Sequence, residues 1–268
     1  MIGTIKTPHL PKGRVRNLII GEKYEKLLEN AAIKHNFELI CLKDNQYCDE
    51  RLSGHTDLAA VHIGGKELVC RRYLKNTEAH RRLNELGVNV EFVDNCLSPE
   101  YPDDASLNFC VVGSKVLMNP KTADAQTVKK LTSTLAYCKQ GYTKCTVCVV
   151  DENSIITEDK GVSLCARNAG IEVLEISSCG ILLDGYPNGF IGGASFKLAP
   201  DILAFTGAIS DTYIMNEIET FLSARNIKAV YLNDTPAIDI GSAIPITEEI
   251  TDTVNRRFCR SMSVSYTL

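Results

Sequence analysis

The chain of 268 residues lacks any apolar run of membrane-spanning length, which takes about 18 consecutive apolar residues. Its opening stretch, MIGTIKTPHLPKGRVRNLII, is too broken by charge and proline for the apolar centre of a secretory signal. Strong charge of either sign is missing as well. The formal net charge is −4 and the isoelectric point lies near 5.8, which argues against nucleic acid and anionic membrane as partners. No G-x-G-x-x-G joins a strand to a helix, so phosphate cradling has no support. No Ser-His-Asp spacing and no cluster of metal-ligating residues stands out, and the five histidines are scattered. These absences predict a cytoplasmic protein with no cofactor and no metal.

Cysteine, by contrast, is plentiful. An odd count of eleven without a secretory signal reads as reduced thiols, many of them small core residues. Cys145 and Cys148 form the one C-x-x-C. They lie in TKCTVCVV, which reads as a strand, where residues three apart face opposite sides. The motif is therefore expected to serve the core rather than a metal. At 44% hydrophobic and 23% charged, the composition is ordinary for a globular chain long enough to bury a sizeable core.

A recurring pattern organises the rest. Helices hand over to strands in KHNFELICL (34–42), ELGVNVEFV (85–93), NAGIEVLEI (168–176) and ARNIKAVYL (224–232). Each places a Gly or Asn where a left-handed helix cap is needed. Hairpins recur at 61–69, 110–118, 148–157 and 202–211, and Gly64-Gly65 suits a two-residue turn. Thr77, Thr157 and Ser210 read as helix N-caps, and Ile214, Ile218, Phe221 and Leu222 as one buried stripe. Such a repeat defines a unit of strand–turn–strand–helix–strand, with copies at about 57–93, 108–150, 147–176 and 202–232. Residues 17–42 supply only a helix and a closing strand, so a fifth unit would be completed by the chain ends, for example by SVSYTL. After a helix around 122–136, a single strand at 145–150 has to serve two units. The whole of 1–268 is expected to form one α/β domain.

The loops after the closing strands pair Asp44 with Asn45, Asp94 with Asn95, and Asn233 with Asp234. Turn chemistry explains each pair. In a closed ring they would also converge on an acidic, amide-rich centre, and the two readings are compatible. One further loop, DERLSGHTDLAAVHI (49–63), sets His55 two residues before Asp57 at what reads as a strand start, so both side chains share a face. A carboxylate beside an imidazole can hold one tautomer and keep the ring fit for proton transfer near neutral pH.

The stretch SGHTDLAAVHIGGKELV resembles the GH-x-D segment of the pentein, or guanidine-modifying, superfamily. The stretch LLDGYPNGFIGGASF (182–196) matches its second hallmark. More closely, the whole chain is similar to an uncharacterised clostridial-type family with this fold (DUF6873-like). The resemblance implies an α/β propeller of five ββαβ units with pseudo-fivefold symmetry. It also implies a central pocket for a guanidinium-type small molecule, with His55 as acid/base and Asp57 gripping the cation beside a second carboxylate. Around them the pocket would draw on Asp44, Asn45, Asp94, Asn95, Asp184, Gly192, Gly193, Ser195, Asn233 and Asp234. The superfamily's nucleophilic Cys, shortly after a Gly-Gly, does not carry over: Gly192-Gly193 is followed by Ala194 and Ser195. A serine hydroxyl would need a dedicated base. By loop position Cys96 and Cys179 are the candidate nucleophiles, with Cys48 just ahead of His55. Two functions stay open: a guanidinium binder or hydrolase acting on C–N bonds, and a non-catalytic pentein serving as an interaction or scaffold module.

Overall fold

The computed structural model describes residues 1–96 and 98–250. Four sheets repeat one plan, a hairpin followed by a helix and a third strand parallel to the hairpin's second. The first joins Ala60–Gly64, Glu67–Arg71 and Asn89–Val93. The second joins Cys110–Val112, Lys115–Met118 and Thr134–Tyr137. The third joins Cys148–Asp151, Ser154–Thr157 and Glu172–Glu175, and the fourth Ser195–Ala199, Ile202–Phe205 and Lys228–Tyr231. A fifth sheet unites the two ends of the described chain. Ile244–Glu249 runs antiparallel to both Ile2–Thr4 and Arg14–Gly21, and Arg14–Gly21 is parallel to Glu38–Leu42. The sheet is thus completed by residues 244–249, while SVSYTL lies outside the described residues. No described helix is long and apolar enough to cross a membrane.

The helix–strand handovers form as the residues dictate. Asn36, Gly87, Gly170 and Asn226 all adopt positive φ, and so do Gly64 and Gly65 in the first hairpin. The Thr77 side chain accepts from the His80 N–H. The next two caps fall one or two residues later than the sequence predicts. Asp159 replaces Thr157 and Asp211 replaces Ser210, because a carboxylate oxygen is in reach of the first-turn N–H groups. Ile214, Ile218 and Leu222 are buried as one stripe.

Two larger differences concern the second and third units. The helix expected over 122–136 is only Ala125–Val128, and Thr134–Tyr137 forms the closing strand. The Thr and Ser at 132–134 compete with helical backbone, so the helix stops after one turn. The strand expected at 145–150 begins instead at Cys148, after a short helix Thr143–Thr146. Buried Asn108 holds that helix, its side-chain oxygen accepting from the N–H groups of Lys144 and Cys145 at 2.7 and 3.2 Å. Among the described residues no strand is shared between units.

The hairpin strands are apolar on both faces, and alternate residues enter different clusters. Val61 and Val69 pack with Val111 and Val116. Cys110, Val112 and Leu117 turn the other way, onto Val149 and Ile155. Cys148, Val150 and Ile156 meet Leu203 and Phe205. Phe196, Leu198 and Ala204 meet Leu18 and Ile20, while Ile19, Ile40 and Ile244 meet Leu68 and Cys70. Each cluster therefore seals two sheets together. Phe205 is fully buried in one of them. Phe205→Ala is expected to cost about 3–5 kcal/mol, read as a lower urea midpoint with an unchanged slope.

Candidate functional site

The segments just ahead of the hairpin strands come together at one cavity of about 170 Å³. Its lining includes His55, Cys145 and Asp239, with walls from Leu52, Leu58, Tyr142, Leu183, Tyr186, Asn188 and Phe190. His55 caps a one-turn helix, Thr56–Ala59, rather than starting a strand. The Asp57 N–H donates to the Gly241 carbonyl at 2.9 Å, which draws this segment off the sheet line. The pairing with Asp57 survives the change. His55, Asp57 and Cys145 offer donor atoms that all lie within 4.8 Å of one another.

The buried network around them is specific. The Cys145 thiol donates to Asp57 Oδ2 at 3.0 Å and accepts from Asn108 Nδ2 at 3.2 Å. Asp239 is 1% exposed, its carboxylate held by the N–H groups of Phe190 and Gly241 at 2.9 Å each. The Lys144 ammonium is buried on Gly192 O, Val147 O and Ser242 Oγ. His55 Nε2 and Asp57 Oδ1 are buried without a partner among the described residues. Desolvation raises Asp57 to about 7, with Asp239 adding to the rise. Desolvation lowers His55. It also raises the Cys145 thiol well above its usual value, helped by the Asp57 and Asp239 charges. Burial takes Glu158, whose Oε1 accepts from the Ile191 N–H, to about 7.

Glycine makes this crowding possible. A Cβ on Gly193 would meet Asp239 Oδ1 at 1.8 Å, and one on Gly241, at φ +64, would meet His55 Cβ at 2.3 Å. The hallmark Gly192 and Gly193 thus let backbone pass against the site. Ser195 is buried but spends its hydroxyl on Ile191 O at 2.7 Å.

The other sequence-predicted residues do not line this cavity. Asp44, Asp94, Asp184 and Asp234 are exposed, and Asp94 pairs with Arg72. Asn45 Oδ1 accepts from Tyr47 N, Asn95 Oδ1 from Tyr73 N, and Asn233 donates to Leu27 O and Thr206 O. The loops of Asp44–Asn45, Asp94–Asn95 and Asn233–Asp234 follow the closing strands, which lie two strands across each sheet from the segments that meet at His55, and their Asp and Asn residues serve turns. Cys96 lines a separate groove with Arg71 and Asp124. Cys179 is buried in an apolar cluster, its thiol raised to about 12 by desolvation. Cys48 donates to Asn45 O.

Cys145 and Asp239 are the residues that sequence reasoning missed. C-x-x-C read as a strand hid the first, and the structure separates its two thiols: Cys148 packs in an apolar cluster. Register held a usable signal. Asp57 lies three residues before Ala60, where its sheet begins, and Cys145 three before Cys148. Asp239 follows no such register.

The chain matches solved structures over most of its length. An agmatine deiminase from C. jejuni aligns at TM-score 0.55 and 12% identity, over 92% of this chain and 96% of that one. An inosamine-phosphate amidinotransferase from Streptomyces griseus aligns at 0.54 and 10%, over 92% and 98%. An amidinotransferase of the saxitoxin pathway from Microseira wollei aligns at 0.55 and 8%, over 92% and 98%. The mixed α/β fold is therefore that of the pentein enzymes, the guanidine-modifying superfamily. A family of unknown function, DUF6873, matches residues 19–244, and the chain belongs to it. A search of curated proteins found no match.

Two outcomes follow from the crowding and the buried acids. Gly241→Ala is expected to destabilise the fold by about 2–4 kcal/mol through strain and overlap, seen in chemical denaturation. An unfolded carboxyl loses its proton near pH 4. From there to about pH 7 the folded chain holds protons on Asp57 and Glu158 that the unfolded chain has lost. Stability is expected to fall as pH rises through that window and to level off above it. Asp57→Asn should flatten the fall and melt higher than wild type at pH 8.

Proposed function

We propose that this chain binds a small guanidinium or amidinium cation at the His55–Asp57–Cys145–Asp239 cavity and hydrolyses one of its C–N bonds. The observation that carries the reading is the convergence of an imidazole, a thiol and two carboxyl groups: His55, Asp57 and Cys145 offer donor atoms within 4.8 Å of one another, and Asp239 lines the same cavity as His55 and Cys145. Planar N–H forks pair well with carboxylates. Asp57 and Asp239 take the cation, and Cys145 fills the nucleophile's role that the residues after Gly192-Gly193 leave empty. A positive ligand favours the ionised forms of Asp57 and Cys145, reversing the effect of burial. The Cys145 proton passes to His55, and the sulfur bonds to the central carbon. The C–N bond breaks as the departing amine takes the proton from His55. A water then gives its proton to His55 and attacks the same carbon, and the C–S bond breaks to restore the thiol, leaving a urea.

Three further elements belong to this reading. The five apolar clusters, taken in turn, link each sheet to the next and the last to the first. That circuit supports a closed α/β propeller with pseudo-fivefold symmetry. A nucleophile in mid-chain fits a ring opened at a different sheet from that of the deiminases. The ten described free cysteines fit a reducing, cytoplasmic setting. Apart from Asn188 the cavity walls are leucine and aromatic, and no Lys or Arg lines them among the described residues. They favour guanidines with a short uncharged tail over arginine.

Thermal melting in methylguanidine, phenylguanidine and arginine tests this. A ligand at 100 times its dissociation constant stabilises by about 2.7 kcal/mol. The shift is expected for the uncharged-tail compounds and should vanish in Asp57→Asn. Affinity should weaken by up to about tenfold per pH unit below 7, as Asp57 takes up its proton. Urea formation should disappear in Cys145→Ser with binding retained. No shift with any guanidine would leave the scaffold reading standing.

A further inference from the structure

We infer that His55, Asp57 and Cys145 also form a site for one soft divalent cation such as Zn²⁺, and that this metal and a guanidinium exclude each other. The metal site stands on donor geometry alone, while the exclusion rests on the guanidinium reading above. A thiol sulfur, an imidazole nitrogen and a carboxylate oxygen, three ordinary zinc ligands, lie within 4.8 Å of one another.

Independent support comes from atoms with nothing to bind. His55 and Asp57 are 3% and 2% exposed, yet Nε2 of the one and Oδ1 of the other have no partner among the described residues. Buried polar atoms left so are costly, and a cation would satisfy both. Zinc holds its donors at about 2.0–2.3 Å, hence roughly 3.3–3.8 Å from each other. The group need close by no more than about 1.5 Å.

Charge and support agree. As the sulfur–metal bond forms, the Cys145 thiol proton leaves to solvent. A thiolate with the carboxylates of Asp57 and Asp239 then faces the metal's two charges and the nearby Lys144 ammonium. Asn108 anchors both the sulfur and the backbone N–H of Cys145, the outer support that metal ligands require. His55 and Cys145 line the cavity, which leaves a coordination position open to water. The thiolate selects zinc-like ions over magnesium or calcium.

Metal-free full-length protein titrated with Co²⁺ tests the site. One ion per chain is expected, with a thiolate-to-cobalt charge-transfer band that Zn²⁺ abolishes. Cys145→Ser should remove the band and Cys148→Ser should keep it. A band that persists in Cys145→Ser overturns the assignment. Should that variant not fold, Zn²⁺ must slow iodoacetamide labelling of Cys145 in the wild type at least tenfold, and an unchanged rate overturns the site. Methylguanidine should bleach the cobalt band. A guanidine that raises the melting temperature of metal-free protein yet leaves the band intact refutes the exclusion and spares the guanidinium reading. A cobalt band with no guanidine shift spares the metal site and refutes that reading.

Discussion

Strands that are apolar on both faces are the constraint from which the rest follows. A strand with one wet face would need neighbours on one side only. Here residues such as Val111 and Val112, adjacent in sequence, enter different clusters, so the second sheet must be covered from both sides. The same holds wherever two clusters divide one strand, as for Leu18, Ile19 and Ile20. Small sheets of three or four strands become stable because each shares its core with two others. The segments that lead into the hairpins are then forced together. Those segments carry His55 and Asp57, Asn108, Cys145, Gly192 and Gly193, and Asp239 and Gly241.

The site works against the stability that this packing supplies. Asp57 and Asp239 are almost wholly buried, and burial opposes charge unless hydrogen bonds or opposite charges compensate. The protein compensates unevenly. Asp239 receives two backbone N–H groups, whereas Asp57 keeps one oxygen bare. The imbalance sets the two carboxyls apart. Asp239 is held by hydrogen bonds on both oxygens, whereas desolvation holds the Asp57 carboxyl well above the usual carboxylate range. A group held in a costly state by its surroundings is a familiar mark of function.

Much of the fold was legible because local chemistry dictated it. Asn36, Gly87, Gly170 and Asn226 stop helices in a conformation that other residues enter reluctantly, and their spacing exposed the repeat. The proximity of His55 and Asp57 was legible for the same reason: the two side chains meet close to where they stand in sequence. Cys145 was not, because nothing local reveals that Asn108, far back in the chain, bends TKCT into a helical turn. The Asp-Asn loops misled in the opposite way. Their likeness to one another was real, but it recorded a shared turn at the ends of the outer strands rather than a shared destination.

The terminal sheet sets an order of events. Among the described residues Ile2–Thr4 pairs with Ile244–Glu249, so that pairing must wait until residue 249 has left the ribosome. Asp239 and Gly241 lie just before the late strand; Gly241 touches His55 and Asp57 from the early part, and Asp239 lines the same cavity as His55. A nascent chain halted short of residue 239 therefore carries the imidazole and the thiol without the acid that completes their surroundings. The cluster around His55 and Cys145 is therefore completed by a residue far downstream of both.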